Sequence, residues 1–462
     1  MSEGHAERAD RLPIVLLHGY SASERSFHKW RDALVARGYD ATTIHLGDYV
    51  SLSNEITIKD IAEAFDRALR EEAGLNKREP FDAIVHSTGG LVIREWLATY
   101  GSAHGLRRRR LKRVVGLAPA TFGSPLAQHG QSWIGSIFKG SKHPGPDFLE
   151  SGHRVLSGLE LGSSYTWDLA HRDLLRGAAV YDETSASPYP FVLIGLKDYG
   201  RLKRAFLNDP GSDGTVRWAG AGLNTRKIDV DLTRKPGAKN DGRYKISPWH
   251  NVDVPLVLLP DHNHTTIVSE PDDLVDMVLE ALAVEDALGY QAWIEKHSTM
   301  SSGRLAKVEK DRWQQFVVRV VDERGDPVPD YYLELAEGGK ILKEFSLEAH
   351  AFKHDESFRC FHVNLSKLKP ETRTALELRL DASSGTELVA YHGTGSDTFT
   401  REGRPLRRGN EGWDACIDLT GLLRNEEVKF FFPYTTTLVE IKINREPMPL
   451  TGPNDLLKFI RD

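Results

Sequence analysis

The strongest constraint on the fold is the alternation of two hydrophobic patterns over residues 12–298. Short β-branched and apolar runs, typical of strands, alternate with longer segments that have the periodicity of amphipathic helices. The predicted strands lie at 13–17, 42–46, 82–86, 113–118, 191–196 and 254–259. Several of these runs have no polar residue at every second position, as expected for strands that are covered on both faces. The sequence therefore predicts a mostly parallel α/β sheet with helices on both faces.

Three helices of this region carry clear signals. Two are predicted at 58–72 and 91–100 from their spacing of apolar residues. A third is expected to begin near Pro271, with Ser269 as its N-cap and two acidic residues at the positive end of its dipole. We expect this third helix to close the first domain.

A second domain is predicted from a change of pattern at Trp313. Apolar residues then recur at every second position in 316–321 and 331–335, on either side of a turn. Further β-rich stretches lie at 357–363, 375–380, 428–432 and 437–443. A chain of 462 residues is also long for a single hydrophobic core. We therefore expect an α/β domain at 12–298, a linker at 296–310 and an all-β, sandwich-like domain at 311–462.

The charge distribution argues against a nucleic-acid partner. The chain has 60 basic and 66 acidic residues, a formal charge of −6, so it has no broad cationic field to attract a polyanion. One dense basic run spans residues 107–113. It either docks on anionic lipid headgroups, a peripheral membrane contact, or lies in a solvated loop before a strand.

The sequence also suggests a compartment. Residues 1–11 are polar, and no apolar run is long enough to span a bilayer. We expect synthesis in the cytoplasm without a Sec-type signal, with export by another route left open. The two cysteines, Cys360 and Cys416, either pair or stay as thiols, and they offer no Cys-based zinc site.

The sharpest functional signal is residues 84–90, IVHSTGG, where a predicted strand passes directly into a helix. A tight turn of this kind exposes the oxygen of Ser87, and the helix N-terminus stabilises negative charge that develops beside it. Gly89 leaves room for a close approach of the backbone. The usual pattern is G-x-S-x-G, and Val85 stands here at the position of the first glycine.

The first predicted strand ends in a His18-Gly19 step, and at this point the chain resembles the α/β-hydrolase superfamily and, within it, the bacterial lipases. In that family the backbone N–H groups after the His-Gly pair and after the nucleophile form an oxyanion hole. The resemblance assigns these amides to Tyr20 and Thr88, with His18, Gly19, His86 and Gly89 as supporting residues of the two motifs.

Two later motifs complete the resemblance. Residues 211–216, GSDGTV, look like the lipase stretch that carries the acid, which here is Asp213. The pattern of residues 261–268 fits a catalytic histidine best at His264, with His262 as the alternative base. An H-x-H pair beside Asp261 also suggests a metal, but no third ligand stands at a suitable spacing, so we expect no metal site.

The resemblance implies ester hydrolysis through an acyl-enzyme on Ser87, with no metal or organic cofactor. An insertion at about 125–188 is expected to form a lid, because it far exceeds an ordinary loop. Within it, residues 133–138 have the spacing of an amphipathic helix that either meets lipid or packs on the core. The expected substrate is a lipid or acyl ester.

Other functions remain open at this stage. One is a phospholipase toxin delivered to neighbouring cells, and a second is a catalytically silent hydrolase fold used for binding. Acyl transfer to an alcohol would use the same residues. The β-rich domain is either a membrane- or partner-binding module, its protein partner unknown, or a cover for an exposed face of the hydrolase.

Overall fold

The structure is a computed structural model, and the chain divides into two compact units. Unit 1 comprises Met1–Thr225 and Pro248–Asp311, and unit 2 comprises Arg226–Ser247 and Arg312–Asp462. The described residues are 11–18, 27–44, 56–98, 103–129, 153–175, 180–181, 188–197, 199, 209–234, 242–247, 254–298, 311–338, 340–342, 349–368, 376–385, 389–393, 398–399, 415–418, 420 and 430–447.

Strands and helices are numbered in chain order. The described strands are β1 (Ile14–Leu17), β2 (Ala41–Ile44), β3 (Phe81–His86), β4 (Leu111–Leu117), β5 (Tyr189–Gly195), β6 (Thr225–Asp231), β7 (Tyr244–Ile246), β8 (Leu256–Leu259), β9 (Trp313–Asp322), β10 (Tyr331–Glu337), β11 (Lys340–Ile341), β12 (Ala349–Ala351), β13 (Phe358–Asn364), β14 (Leu376–Ala382), β15 (Val389–His392), β16 (Thr398–Phe399), β17 (Ala415–Asp418) and β18 (Thr436–Pro447). The described α-helices are α1 (His28–Ala36), α2 (Ile58–Glu71), α3 (Gly89–Leu97), α4 (Ala103–Arg110), α5 (His153–Leu159), α6 (Ser164–Asp173), α7 (Trp218–Ala221), α8 (Thr266–Ser269), α9 (Val275–Leu282) and α10 (Ala287–His297). Short 3-10 helices span Pro125–His129 and Leu365–Lys367. In the described part of the chain, no helix combines the length and apolarity that a bilayer crossing requires.

Unit 1 contains the predicted α/β sheet. Its six strands run in the order β2-β1-β3-β4-β5-β8, and every neighbouring pair is parallel. The strands β1, β3, β5 and β8 are buried along their whole length, as their continuous apolar runs predict. The sequence prediction of a parallel sheet with flanking helices is confirmed.

Helix α2 shows how local signals fix an element beside this sheet. Thr57 caps it, since its hydroxyl accepts from the Asp60 amide while the Asp60 carboxylate accepts from the Thr57 amide. The apolar positions of α2 face inward, and Phe65 meets Trp96 of α3 edge to face, with ring centroids 5.7 Å apart. The helix that follows Ser87, α3, is therefore packed against α2.

The predicted helix start near Pro271 is wrong. Ser269 is the last residue of α8, where its amide donates to the Thr265 carbonyl at 3.0 Å, so it lacks the extended backbone of an N-cap. A turn follows, in which the Pro271 carbonyl accepts from the amides of Leu274 and Val275. Helix α9 begins only at Val275, and the unpredicted α10, not α9, lies last in this region.

Three arginines of the basic run at 107–113 form ion pairs within unit 1. Their side chains pair with carboxylates of unit 1: Arg107 with Glu63, Arg110 with Asp66 and Arg113 with Asp82. Arg107 and Arg110 are also buried. The run belongs to α4 and β4, so the prediction of a loop is wrong.

Unit 2 consists of two sheets. One has five strands in the order β11-β10-β14-β17-β16, and the other has seven, in the order β12-β13-β9-β18-β6-β7 with β15 paired to β18. The β9–β18 pair is parallel, so the second sheet is mixed. Buried apolar residues of both sheets form one core, which includes Val318, Val320, Leu376 and Leu380. A separate β-rich region after the hydrolase part is confirmed.

Two details of this region differ from the prediction. Residues 226–247, which we placed in the α/β domain, supply β6 and β7 to unit 2, because their apolar side chains join its core. Of the strand predicted at 428–432, the described residues 430–432 are not a strand. The Gln314 side chain bonds the Phe432 amide at 2.7 Å and the Phe430 carbonyl at 3.2 Å, which takes the place of a strand partner.

The placement of β6 predicts how a shortened chain behaves. A chain that ends at residue 298 keeps β6 but lacks β18, so the buried Ile228, Val230 and Leu232 lose their core. We expect this chain to aggregate, because a bare strand edge beside an exposed apolar face is an aggregation site. Size-exclusion chromatography and limited proteolysis measure the outcome.

The matched control is the same shortened chain with residues 226–247 replaced by a Gly-Ser linker, which we expect to be soluble. Equal solubility of the two chains, with residues 226–247 protected from protease in the first, would contradict the assignment of β6.

Candidate active site

Three predicted site residues come after strands of the parallel sheet in unit 1. Ser87 comes directly after β3, Asp213 lies in the segment after β5, and His264 comes five residues after β8. Because these strands are parallel, their carboxyl ends meet at the same edge, where open α/β sheets place their sites.

Ser87 lies in a strained turn. Its φ of 54° is in the left-handed region, which a residue other than glycine adopts at a cost. Three backbone hydrogen bonds hold the turn: the Ser87 amide donates to Leu117, and the Ser87 carbonyl accepts from the amides of Gly90 and Ala120. Ser87 is buried, with 8% of its surface exposed. The strand-to-helix corner that the sequence predicts is present.

The residues around this turn must be small. A Cβ on Gly89 would lie 2.7 Å from the Leu17 carbonyl oxygen, and a Cβ on Gly90 would lie 2.7 Å from the Cβ of Pro119. Val85, which replaces the usual first glycine, pairs across the sheet with Gly116. A Cβ on Gly116 would also approach the Pro119 ring, at 3.0 Å. Pro119 therefore packs against Gly90 and against Gly116, the cross-strand partner of Val85.

Asp213 and His264 form a buried pair. The Nδ1 of His264 donates to Oδ2 of Asp213 at 2.8 Å, and neither side chain is exposed to solvent. The other carboxylate oxygen of Asp213 accepts from the amides of Thr215 and Val216 at 2.9 and 2.7 Å. The two residues are also joined by a backbone hydrogen bond, in which the His264 amide donates to the Asp213 carbonyl at 3.1 Å. The carboxylate is thus satisfied on both oxygens, and it orients the imidazole.

His86, the residue before Ser87 in the chain, packs against this pair. Its ring lies 4.6 Å from the ring of His264, and its Nε2–H donates to the His264 carbonyl at 3.0 Å. His18 meets the other side of His86 edge to face, at 5.4 Å. Burial, followed by the neighbouring His264 and His18, lowers the pKa of His86 well below 6.5. His86 is therefore a neutral ring that contacts both His18 and His264.

His262, the alternative base, lies elsewhere. Its Nε2 contacts Asp273 at 3.0 Å, while Asp213 bonds to His264. Among the described residues, no group of three or more His, Cys, Asp and Glu side chains could hold a metal ion.

The structure places only part of the predicted oxyanion hole. Thr88 is buried and directly precedes the first residue of α3. Gly19, Tyr20 and the amphipathic segment at 133–138 lie outside the described residues. Within the predicted lid insertion, the structure describes the 3-10 helix Pro125–His129 and the helices α5 and α6.

The sequence did not predict the ion pairs that attach α6 to α3, the helix that begins after Ser87. Arg94 of α3 bonds both oxygens of Asp173 at 2.8 and 3.0 Å, and both side chains are almost fully buried. Arg94 also donates to the Thr121 carbonyl at 2.7 Å, one residue after the Ala120 amide that holds Ser87. Two adjacent charges in the apolar helix 91–97 were the available signal, because buried charges require partners.

A second ion pair lies beside the first. Arg172 bonds both oxygens of Glu95 at 2.6 and 2.9 Å, and the hydroxyl of Tyr165 donates to the same carboxylate. The two pairs join adjacent residues of α3 to adjacent residues of α6. They fix the described part of the insertion to the helix that starts at the Ser87 turn.

The chain belongs to the alpha/beta hydrolase family, whose model matches residues 14–277, more than half of its length. Among solved structures it is similar to the phospholipase PlaB from Legionella pneumophila, with 22% identity, a TM-score of 0.70 and 98% coverage of both chains. A structure of that phospholipase in complex with thio-NAD also matches, with 22% identity, a TM-score of 0.70 and 97% coverage of both chains. A mature lipase from Bacillus licheniformis, BlEst2, covers 59% of this chain and 93% of its own, with 17% identity and a TM-score of 0.37. No curated protein matches the sequence.

The buried pair of Arg94 and Asp173 predicts a large stability effect. Asp173→Asn leaves the guanidinium of Arg94 buried without its counter-charge, and we expect the free energy of unfolding to fall by about 3–5 kcal/mol. Urea denaturation measures this change. The matched control is Asp276→Asn, which breaks an exposed pair with Arg37 and should cost less than about 1 kcal/mol. Similar losses in the two variants would contradict the structural role of the buried pair.

His86 predicts a pH dependence of stability. Below pH 6.5 the unfolded chain binds a proton at His86 that the folded chain excludes, so the folded state loses stability as the pH falls. The difference in unfolding free energy between the wild type and His86→Asn should shrink by about 1.4 kcal/mol per pH unit below pH 6. Denaturation curves at several pH values measure the slope. A difference that does not change with pH would show that His86 titrates alike in both states.

Proposed function

We propose that the chain is a serine carboxylic-ester hydrolase that acts on lipid or acyl esters. The observation that carries the proposal is the fully buried Asp213–His264 pair, which the ring of His86 packs against one residue before Ser87. A neutral serine is a weak nucleophile, and a neighbouring imidazole that accepts its proton removes this weakness. The residue order Ser87, Asp213, His264 along the chain is that of the family.

The proposed reaction has two halves. His264 takes the proton of the Ser87 hydroxyl as its oxygen attacks the ester carbonyl, and the resulting imidazolium gives the proton to the leaving alcohol. Water then attacks the acyl-enzyme by the same route and releases the acid. Asp213 stays ionised throughout, since it keeps the imidazole oriented and stabilises its charged form.

The negative oxygen that forms in each half needs hydrogen-bond donors. We assign these to the backbone amides of Tyr20 and Thr88, and each such donor contributes about 3 kcal/mol to the transition state. Thr88 is at the N-terminus of α3, where the helix dipole favours negative charge. The segment that carries Gly19 and Tyr20 directly follows His18, whose ring packs on His86.

Phospholipids are the first substrates to test. The support is the fold that this chain shares, over 98% of both chains, with a protein described as a phospholipase. No contact in the described part of the chain favours a toxin role or a silent binding fold, so neither is proposed.

The test measures hydrolysis of p-nitrophenyl esters of increasing acyl length and release of fatty acid from phosphatidylcholine and phosphatidylglycerol vesicles. Ser87→Ala, Asp213→Asn and His264→Ala should each lower kcat by roughly a thousandfold or more, because the three residues act as a unit.

Ser298→Ala is the control, since it alters another buried serine, beside the start of β8 at the opposite end of the strand. It should keep the activity of the wild type. An unchanged rate in Ser87→Ala, or no hydrolysis of any ester by the wild type, would contradict the proposal.

A further inference from the structure

We infer that Tyr199 is a positioning residue that holds the acid and base loops of the site together through its hydroxyl group. The inference rests on the proposed function, because it assigns Asp213 and His264 their roles. Tyr199 belongs to none of the four sequence motifs, and its contacts alone suggest the role.

The hydroxyl of Tyr199 bonds to both loops. It lies 3.0 Å from the hydroxyl oxygen of Thr215, and it accepts a hydrogen bond from the hydroxyl of Thr265 at 3.2 Å. Thr215 is the residue whose amide donates to the carboxylate of Asp213, and Thr265 directly follows His264. A single oxygen atom therefore connects the backbone segments that carry the two members of the buried pair.

The ring of Tyr199 fixes the acid loop by packing as well. Gly214 has a φ of +95°, which favours glycine, and a Cβ there would lie 2.6 Å from Cδ2 of Tyr199. The ring thus occupies the space beside the glycine that follows Asp213. Glycine at position 214 is therefore required for two reasons. The turn has a positive φ there, and the ring of Tyr199 leaves no room for a Cβ.

The phenol also suits its surroundings electrostatically. Burial and the charge of Asp213 raise the pKa of Tyr199 to about 12. The hydroxyl stays neutral at working pH, so it places no second negative charge beside the carboxylate. It keeps both a donor and an acceptor for the two threonines.

The proposed consequence concerns the hydrogen bond between Asp213 and His264. If the two loops move apart, this hydrogen bond weakens, and the carboxylate orients and stabilises the imidazolium less. The chemical step then slows, while substrate binding is not affected. A catalytic constellation tolerates only a small loss of alignment before its rate drops.

The test is Tyr199→Phe, which keeps the ring on Gly214 and removes the hydroxyl. Rates are normalised to the sites that a fluorophosphonate titrates, so misfolded protein does not count. We expect kcat to fall about tenfold with KM unchanged, as for one or two lost hydrogen bonds. Thr265→Val should act in the same direction, and the double variant should be less than additive.

The control is Tyr290→Phe, which removes the hydroxyl of another buried tyrosine that donates to Pro190 at the start of β5. It should leave kcat and KM unchanged. A proton NMR signal of the His264 Nδ1–H, assigned by its loss in His264→Gln, gives a readout that needs no activity. Tyr199→Phe should shift this signal upfield.

A Tyr199→Phe variant with the kcat and Nδ1–H signal of the wild type would overturn the inference. So would a variant that loses folded protein but keeps these properties at its titrated sites, since the role would then be structural only. A failure of the proposed function is distinguishable, because Ser87→Ala would then keep its activity whatever the NMR signal shows.

Discussion

The site depends on a charge held out of water. The carboxylate of Asp213 is fully buried, and a buried ion is costly unless hydrogen bonds replace its lost hydration. Here two backbone amides and the imidazole of His264 supply them. Because the amides come from the turn at 213–216 itself, the carboxylate is oriented by local geometry before the imidazole meets it. The imidazole is thereby oriented through its Nδ1.

The turn that carries Ser87 is held by a different part of the chain, the turn after β4. Ser87 has a strained backbone, and strain of this kind persists only where the surroundings impose it. The turn after β4 does so, because the Ala120 amide bonds the Ser87 carbonyl and Pro119 packs where Gly90 and Gly116 have no side chains. Arg94 connects that turn to the insertion through Thr121 and Asp173. The serine is therefore fixed by its own helix and by a segment that follows it by thirty residues.

The sequence predicted the parts of this arrangement that depend on local pattern. Continuous apolar runs predicted the parallel sheet, and the order of Ser87, Asp213 and His264 predicted which residues lie at its edge. Long-range pairing could not be predicted in the same way. The partners of Arg94 and Arg107 are distant in sequence, so the ion pairs that these arginines form within the fold could not be read from the local pattern.

The same limit explains the other differences. Residues 226–247 look like part of the hydrolase region along the chain, yet their strands pair in unit 2, because sheet membership is decided by partners that come some 200 residues later. Serine is a residue type that favours helix N-caps, but the amide of Ser269 already bonds the Thr265 carbonyl within α8. Tyr199 belongs to no motif, since its importance arises from two threonines on separate loops.

We propose that His264, oriented by Asp213, makes Ser87 a nucleophile. Peptide mapping by mass spectrometry after reaction with a fluorophosphonate tests it most directly, because the label marks the serine that attacks. Our account predicts a label on the peptide that contains Ser87 in the wild type, and labelling at least a hundredfold slower in His264→Ala and in Asp213→Asn. A label on another serine, or equal labelling rates in the wild type and the two variants, would contradict it.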